Sequence, residues 1–201
     1  MNFLAHAFLS GEVSELMLGN LMGDFVKGDF TDDGWSEQIQ DGIALHRKID
    51  TFTDTHPVVK QSKNRLFPTY RHYAGVIVDI FYDHFLAVDF QHYSKESLPE
   101  FVEKVYKLLH KNYENLPPKM QRTVFYMQSQ NWLQAYAKPE GIERALQGMA
   151  RRTTFKSKME YAIRDLEKDY SFYKEEFEQY FPQAQQYVQV VKNGLSGNYS
   201  L

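Results

Sequence analysis

Four stretches of this chain set amides, imidazoles or carboxylates four residues apart: Asn2 with His6, Asn20 with Asp24, His46 with Asp50, and Asp79 with Asp83, which His84 follows. On an α-helix this spacing puts both members of a pair on one face. Side chains of these types, brought together, can bind a divalent cation, orient a water or move a proton. The fourth set lies inside residues 73–90, YAGVIVDIFYDHFLAVDF, a run apolar enough for a central helix. A carboxylate there costs several kcal/mol unless it is compensated, so a metal ion, a cationic side chain or ordered water is expected beside it. Metal is the leading expectation.

Each pair also has a plainer reading. A His/Asp pair at this spacing usually steadies a helix surface, and Asp50 and Asp54 suit helix ends or turns. The combination is the stronger argument, because Asp83 and His84 lie in an apolar run and His6 sits between Ala5 and Ala7, where simple solvation explains little. Asp24, His46, Asp83 and His84 therefore rank first as ligands. His56, His72, His92 and His110 read as surface residues.

The elements that would carry these groups are helical. A short helix is expected over residues 2–10, ended by Ser10-Gly11, and a second over 14–25. Trp35, Ile39, Ile43, Leu45 and Ile49 repeat with helical period over 34–49, and Pro57 opens a helix to about residue 67. After the central run, Ser97-Leu98-Pro99-Glu100 reads as a capping box that opens a helix to about residue 111. Pro117-Pro118 precedes an amide-rich helix to residue 136, and Pro139 opens another that ends near Gly148. Ser157-Lys158-Met159-Glu160 reads as a second capping box before a long helix to about residue 180, and Pro182 as the restart of a last one. Residues 193–201 read as a frayed tail. The only β-branched run, Val76-Ile77-Val78, lies in a segment too long for an ordinary strand. The expectation is an all-α helical bundle forming a single domain over 1–201.

Composition narrows the function. With 201 residues, 43% of them hydrophobic, the chain can bury one real core. A formal charge of -3 argues against a general nucleic-acid surface, which needs a basic footprint. There is no cysteine, so thiolate ligation and disulfides are excluded and a metal would fall to His, Asp and Glu. This suits a reducing cytoplasm. The apolar opening has no basic n-region and the central run holds Asp79, Asp83 and His84, so neither a signal peptide nor a membrane span is expected. Arg151, Arg152, Lys156 and Lys158 concentrate four positive charges into eight residues. They form either a solvated loop or a clamp for phosphate or an acidic partner, and Arg47, beside His46, is a further candidate for a phosphoryl oxygen.

In order along the chain, MNFLAH, Gly19-Asn20-Leu21 with Asp24-Phe25-Val26, His46-Arg47-Lys48-Ile49-Asp50 with Thr53-Asp54, Asp79 with Asp83-His84-Phe85-Leu86, Gln130-Asn131-Trp132-Leu133 and Gly148-Met149-Ala150 with Arg151-Arg152 resemble the acyl carrier protein phosphodiesterase family. The resemblance spans roughly residues 1–152. It implies hydrolysis of holo-acyl carrier protein, in which the phosphodiester between a serine and 4′-phosphopantetheine is cut to give the apo protein. It also implies an all-helical fold like that of the HD-type metal-dependent phosphohydrolases, which commonly use Mn. The His-Asp dyad of those enzymes is absent, and Asp83-His84 offers the reverse order. On this reading Asp24, His46, Asp83 and His84 hold a divalent metal, Mn before Mg, Fe or Zn. His6 is a further ligand or an acid/base, Asp50 or Asp79 orients ligands or acts as general base, and Asp24 counts as catalytic as well as a ligand. Arg47, Arg151 and Arg152 bind phosphate or the acidic surface of acyl carrier protein. Two other readings remain: an HD-like phosphohydrolase of a small nucleotide or other phosphoester, and a non-catalytic helical module that binds a carrier protein.

Overall fold

The computed structural model describes residues 1–30 and 34–195, and all regular structure among them is helical. The expected tail from residue 196 lies outside the described residues. Chain order runs through α1 (Phe3–Ser10), α2 (Ser14–Met22), α3 (Glu37–Thr55), α4 (Pro57–Tyr70), α5 (Ala74–Val88), α6 (Phe90–Tyr93) and α7 (Leu98–Lys111). It continues through α8 (Pro118–Ser129), α9 (Trp132–Ala135), α10 (Pro139–Ala150), α11 (Ile163–Lys168) and α12 (Tyr170–Asn193).

The apolar run forms α5 as its composition requires, and Ile77, Val78, Ile80, Phe81, Tyr82, Phe85 and Leu86 are fully buried. Helices α1, α4, α10 and α12 pack around it, so one core joins α1 to α12. The most extensive helix packing among the described residues is α2 on α3. A Cβ on Gly19 would stand 2.0 Å from the Ile39 carbonyl oxygen, and one on Gly42 2.3 Å from that of Leu16. Backbone therefore meets backbone there. This approach holds the helix bearing Asn20, and the 3-10 turn Gly23–Phe25 that follows it, against the helix bearing His46 and Asp50.

Several expected boundaries move, each for a local reason. Ser97 and Glu100 form the reciprocal capping box at the start of α7. The second box does not form: Lys158 takes a left-handed conformation at φ 61°, and Ser157 accepts a hydrogen bond from the Met159 amide at 3.4 Å. The amide-rich helix breaks at Asn131, whose φ of 46° separates α8 from α9. Pro182 does not restart a helix, because α12 runs straight through it. Pro182 faces solvent, where water can satisfy the carbonyl that its missing N–H leaves free. Pro68 is carried in α4 in the same way. His56, expected at the surface, is buried at the start of α4.

Candidate metal centre

Helix α1 presents His6 and α3 presents His46, and their rings stack in parallel with centroids 4.1 Å apart. Asp50, one turn beyond His46, reaches both: Oδ1 lies 3.2 Å from His6 Nε2 and Oδ2 3.1 Å from His46 Nε2. Each of the three residues offers a ligand atom within 4.8 Å of the others. Asp24, on the turn after α2, brings Oδ1 to 3.4 Å from His46 Nε2 while its carboxylate stays exposed. The amino group of Met1, fully buried, lies 3.2 Å from Asp79 and 3.6 Å from Asp50. Asp79 thus joins α5 to the centre through that amine.

The hydrogen bonds behind His6 decide where its proton sits. Asn20 Nδ2 donates to the His6 carbonyl at 3.1 Å and to Ser10 Oγ at 2.8 Å, while Ser10 Oγ donates to the same carbonyl at 2.8 Å. With its amide nitrogen so committed, Asn20 turns Oδ1 to His6 Nδ1 at 2.8 Å. An amide oxygen only accepts, so Nδ1 carries the hydrogen and the neutral ring presents a lone pair at Nε2. Burial, with the charges of His46 and the terminal amine nearby, pushes His6 below its ordinary pKa. That lone pair therefore faces a carboxylate oxygen at 3.2 Å, two acceptors that repel unless a cation lies between them. Donors bound to one ion at about 2.0–2.2 Å stand roughly 3 Å from each other, so the spacing fits a shared metal. Two imidazoles and a carboxylate are a donor set for Mn, Fe or Zn rather than for soft ions.

His46 is held differently. Burial opposes its charge, but hydrogen bonds to Asp24 and Asp50 outweigh burial and hold its pKa up at about 9. Burial likewise opposes ionisation of Asp50, yet the bond from His46 and the charge of the terminal amine hold its carboxyl well below the usual range. Asp24 is lowered by His46. His46 Nδ1 is buried without a partner, and a Cβ on Gly23 would lie 2.1 Å from the ring. Only Nε2 of His46 faces a polar partner.

Of the four ligands expected from sequence, the structure pairs Asp24 with His46 and leaves Asp83 and His84 outside the cluster. Neighbouring positions on a helix point about 100° apart, and the two side chains serve different elements. Asp83 accepts from the Leu4 amide at 2.8 Å and the Ala5 amide at 3.2 Å, capping α1. His84 sets Nδ1 2.7 Å from the Tyr136 carbonyl and Nε2 3.1 Å from the Tyr170 hydroxyl. His6 and Asp50 take their places. Arg47 is turned to its own loop, donating to the carbonyls of Val26 at 3.3 Å and Gly28 at 2.9 Å, with its guanidinium over Phe30. Arg151 and Arg152 line a cavity beside Phe3. Asn20 and the Met1 amine are contributors that sequence reasoning left unassigned. The one-turn spacing had marked Asn20, but paired it with Asp24 and not with His6.

The comparisons with known proteins agree with the resemblance. Residues 1–184 match the family model described as acyl carrier protein phosphodiesterase. A protein of that name from Photorhabdus laumondii subsp. laumondii is 36% identical over 183 residues, 90% of this chain and 92% of the relative. Proteins of the same name from Enterobacter sp. (strain 638) and Yersinia enterocolitica are 34% and 33% identical, each over 90% of this chain and 94% of its own length. No solved structure matches. A match covering nearly the whole chain, across the segments that carry the cluster, shows that the chain belongs to the acyl carrier protein phosphodiesterase family.

Proposed function

We propose that this protein hydrolyses the phosphodiester that joins 4′-phosphopantetheine to the serine of holo-acyl carrier protein, giving the apo protein, with a divalent metal, Mn before Mg, Fe or Zn, held by His6, His46 and Asp50. The observation that carries the metal is the meeting of His6, His46 and Asp50, whose ligand atoms all lie within 4.8 Å of one another, while Asn20 takes the other nitrogen of His6. Phosphodiesters resist attack because their own negative charge repels nucleophiles. A divalent ion supplies charge neutralisation and a more acidic water.

The chain's own residues do the rest. Asp50 sets one oxygen beside each imidazole, Oδ1 3.2 Å from His6 Nε2 and Oδ2 3.1 Å from His46 Nε2. Asp24, exposed and 3.4 Å from His46 Nε2, is the base that accepts a proton from the attacking water. Asp79 and the terminal amine fix the Asp50 side of the cluster. Arg47 shapes the segment that follows Asp24, and Arg151 and Arg152 contact the substrate. Cytoplasmic action is part of this reading.

The test is to strip the protein of metal, restore one ion at a time and weigh holo-acyl carrier protein after incubation. A mass loss equal to phosphopantetheine is expected with Mn, and Asp50→Ala is expected to lose both metal uptake and hydrolysis. No mass loss with any of the four ions would overturn the proposal.

A further inference from the structure

Helices α8 and α10 and the segment between them enclose a cavity of about 720 Å³. Five cations line it, Lys119, Arg122, Arg144, Arg151 and Arg152, with no carboxylate among the lining residues. All five are exposed, and no ion pair joins any of them to an acidic side chain among the described residues. In a chain of net charge -3 this is a local, uncompensated positive field. Its floor is apolar and aromatic, with Trp132, Tyr136 and Met149, and Arg152 lies over the Trp132 ring at 5.5 Å. Exposed Tyr126 opens onto it, with exposed Phe125 beside it on α8. Arg, Trp and Tyr set together are what protein interfaces use as anchors.

We infer that this surface docks the acidic face of the carrier protein. The inference deepens the proposed function and rests on it for the partner's identity. Charge stoichiometry selects the occupant. The phosphodiester brings one negative charge, which the metal centre takes, and the pantetheine arm is otherwise uncharged. Five free cations call for several carboxylates, which a protein surface supplies and the arm does not. Position agrees: Phe3, three residues before His6, forms part of the wall and stacks on Phe25, which follows Asp24, with centroids 6.3 Å apart. A carrier seated on α8 and α10 thus adjoins the metal centre across these two rings, where its serine-linked arm is needed.

The experiment measures binding of apo-carrier protein, which has no arm, to the metal-free enzyme at low and raised salt, for wild type and for Arg122→Glu/Arg144→Glu. Wild type is expected to bind, and to bind about tenfold or more weakly at raised salt. The double variant is expected to bind at least about tenfold more weakly at low salt and to lose most of the salt dependence. With holo-carrier as substrate, its loss is expected in KM rather than kcat, whereas Lys107→Glu, on α7, leaves KM unchanged. Equal binding by wild type and double variant overturns the docking surface, as does a wild type that binds free phosphopantetheine but not apo-carrier. The two readings fail separately. Hydrolysis without salt-sensitive docking removes this inference alone, and salt-sensitive docking without hydrolysis removes the proposed activity alone.

Discussion

Asp83 caps a helix that is not its own. Helix α1 has no side-chain cap at Asn2, so its first amides are unpaired until Asp83 on α5 accepts from Leu4 and Ala5. Burial pushes the Asp83 carboxyl up to about 7 in spite of these bonds. The folded state then keeps a proton that the unfolded chain, near 3.8, releases. Stability from this group is complete below the unfolded value and is lost as pH rises towards about 7. Asp83→Asn removes that pH dependence and leaves one amide facing the new NH2 group, at a cost of about 1–3 kcal/mol. Urea denaturation between pH 4 and 7 reads both effects. Metal titration of the same variant should match wild type, and a variant that binds no metal would show Asp83 to be a ligand after all. Spacing along one helix put His46 and Asp50 on one face, because both lie on α3, although Asp50 ranked below the expected ligands. It misplaced Asp83 and His84, because their partners, Leu4 and Tyr136, are 79 and 52 residues away. An apolar neighbourhood says that an ionisable side chain needs a partner. It does not say which element provides one.

Between elements, the contact that matters most to the centre is made by two residues without side chains. Gly19 and Gly42 let α2 and α3 touch through their backbones, and Gly23 lies against the His46 ring. Asn20, which orients His6, and Asp24, which pairs with His46, both depend on that distance. Gly42→Ala puts a methyl group 2.3 Å from the Leu16 carbonyl oxygen and 2.7 Å from the Asn20 amide nitrogen, neither of which can move without its helix. We expect a loss of about 1–3 kcal/mol or more, with weakened metal binding as well, because α2 must shift away from α3. Gly75→Ala is the matched control, since its Cβ would meet nothing nearer than the Lys63 side chain at 3.6 Å. It should be neutral or slightly stabilising in a helix. Thermal denaturation and metal titration of the two variants separate close approach from helix propensity, and equal behaviour would remove the structural role given to the α2–α3 crossing. At this scale the sequence showed helix type and most starts, since Ser97-Glu100 and Pro57 act within one turn. It did not show which prolines are tolerated. Pro68 and Pro182 depend on the face that the finished bundle turns to solvent.

Over the whole molecule, the last helix closes against the first through a buried cation. Lys192 on α12 is 4% exposed and donates to the Ser10 carbonyl oxygen at 3.0 Å, across 182 residues of sequence. That oxygen sits at the C-terminal end of α1, where a positive charge meets the helix dipole favourably. The amine also lies against Gly11, where a Cβ would come within 2.8 Å of Nζ. Ser10 in turn holds Asn20, so the closure reaches the hydrogen bonds that orient His6. Two terms compete at Lys192. The charge gains a helix end and loses water, and burial lowers its pKa below the ordinary 10.5. In the window below 10.5 the unfolded chain binds the proton more tightly, so wild-type stability should rise with pH there. Lys192→Met keeps the stem and removes both terms. Its stability at neutral pH should lie within about 1 kcal/mol of wild type, without that alkaline rise. Lys192→Ala removes the stem as well and should cost about 2–3 kcal/mol through the cavity it leaves. Chemical denaturation of the two variants at neutral and alkaline pH decides between packing and charge. If Met were as damaging as Ala, the bond to Ser10, and not the filled volume, would be what joins α12 to α1.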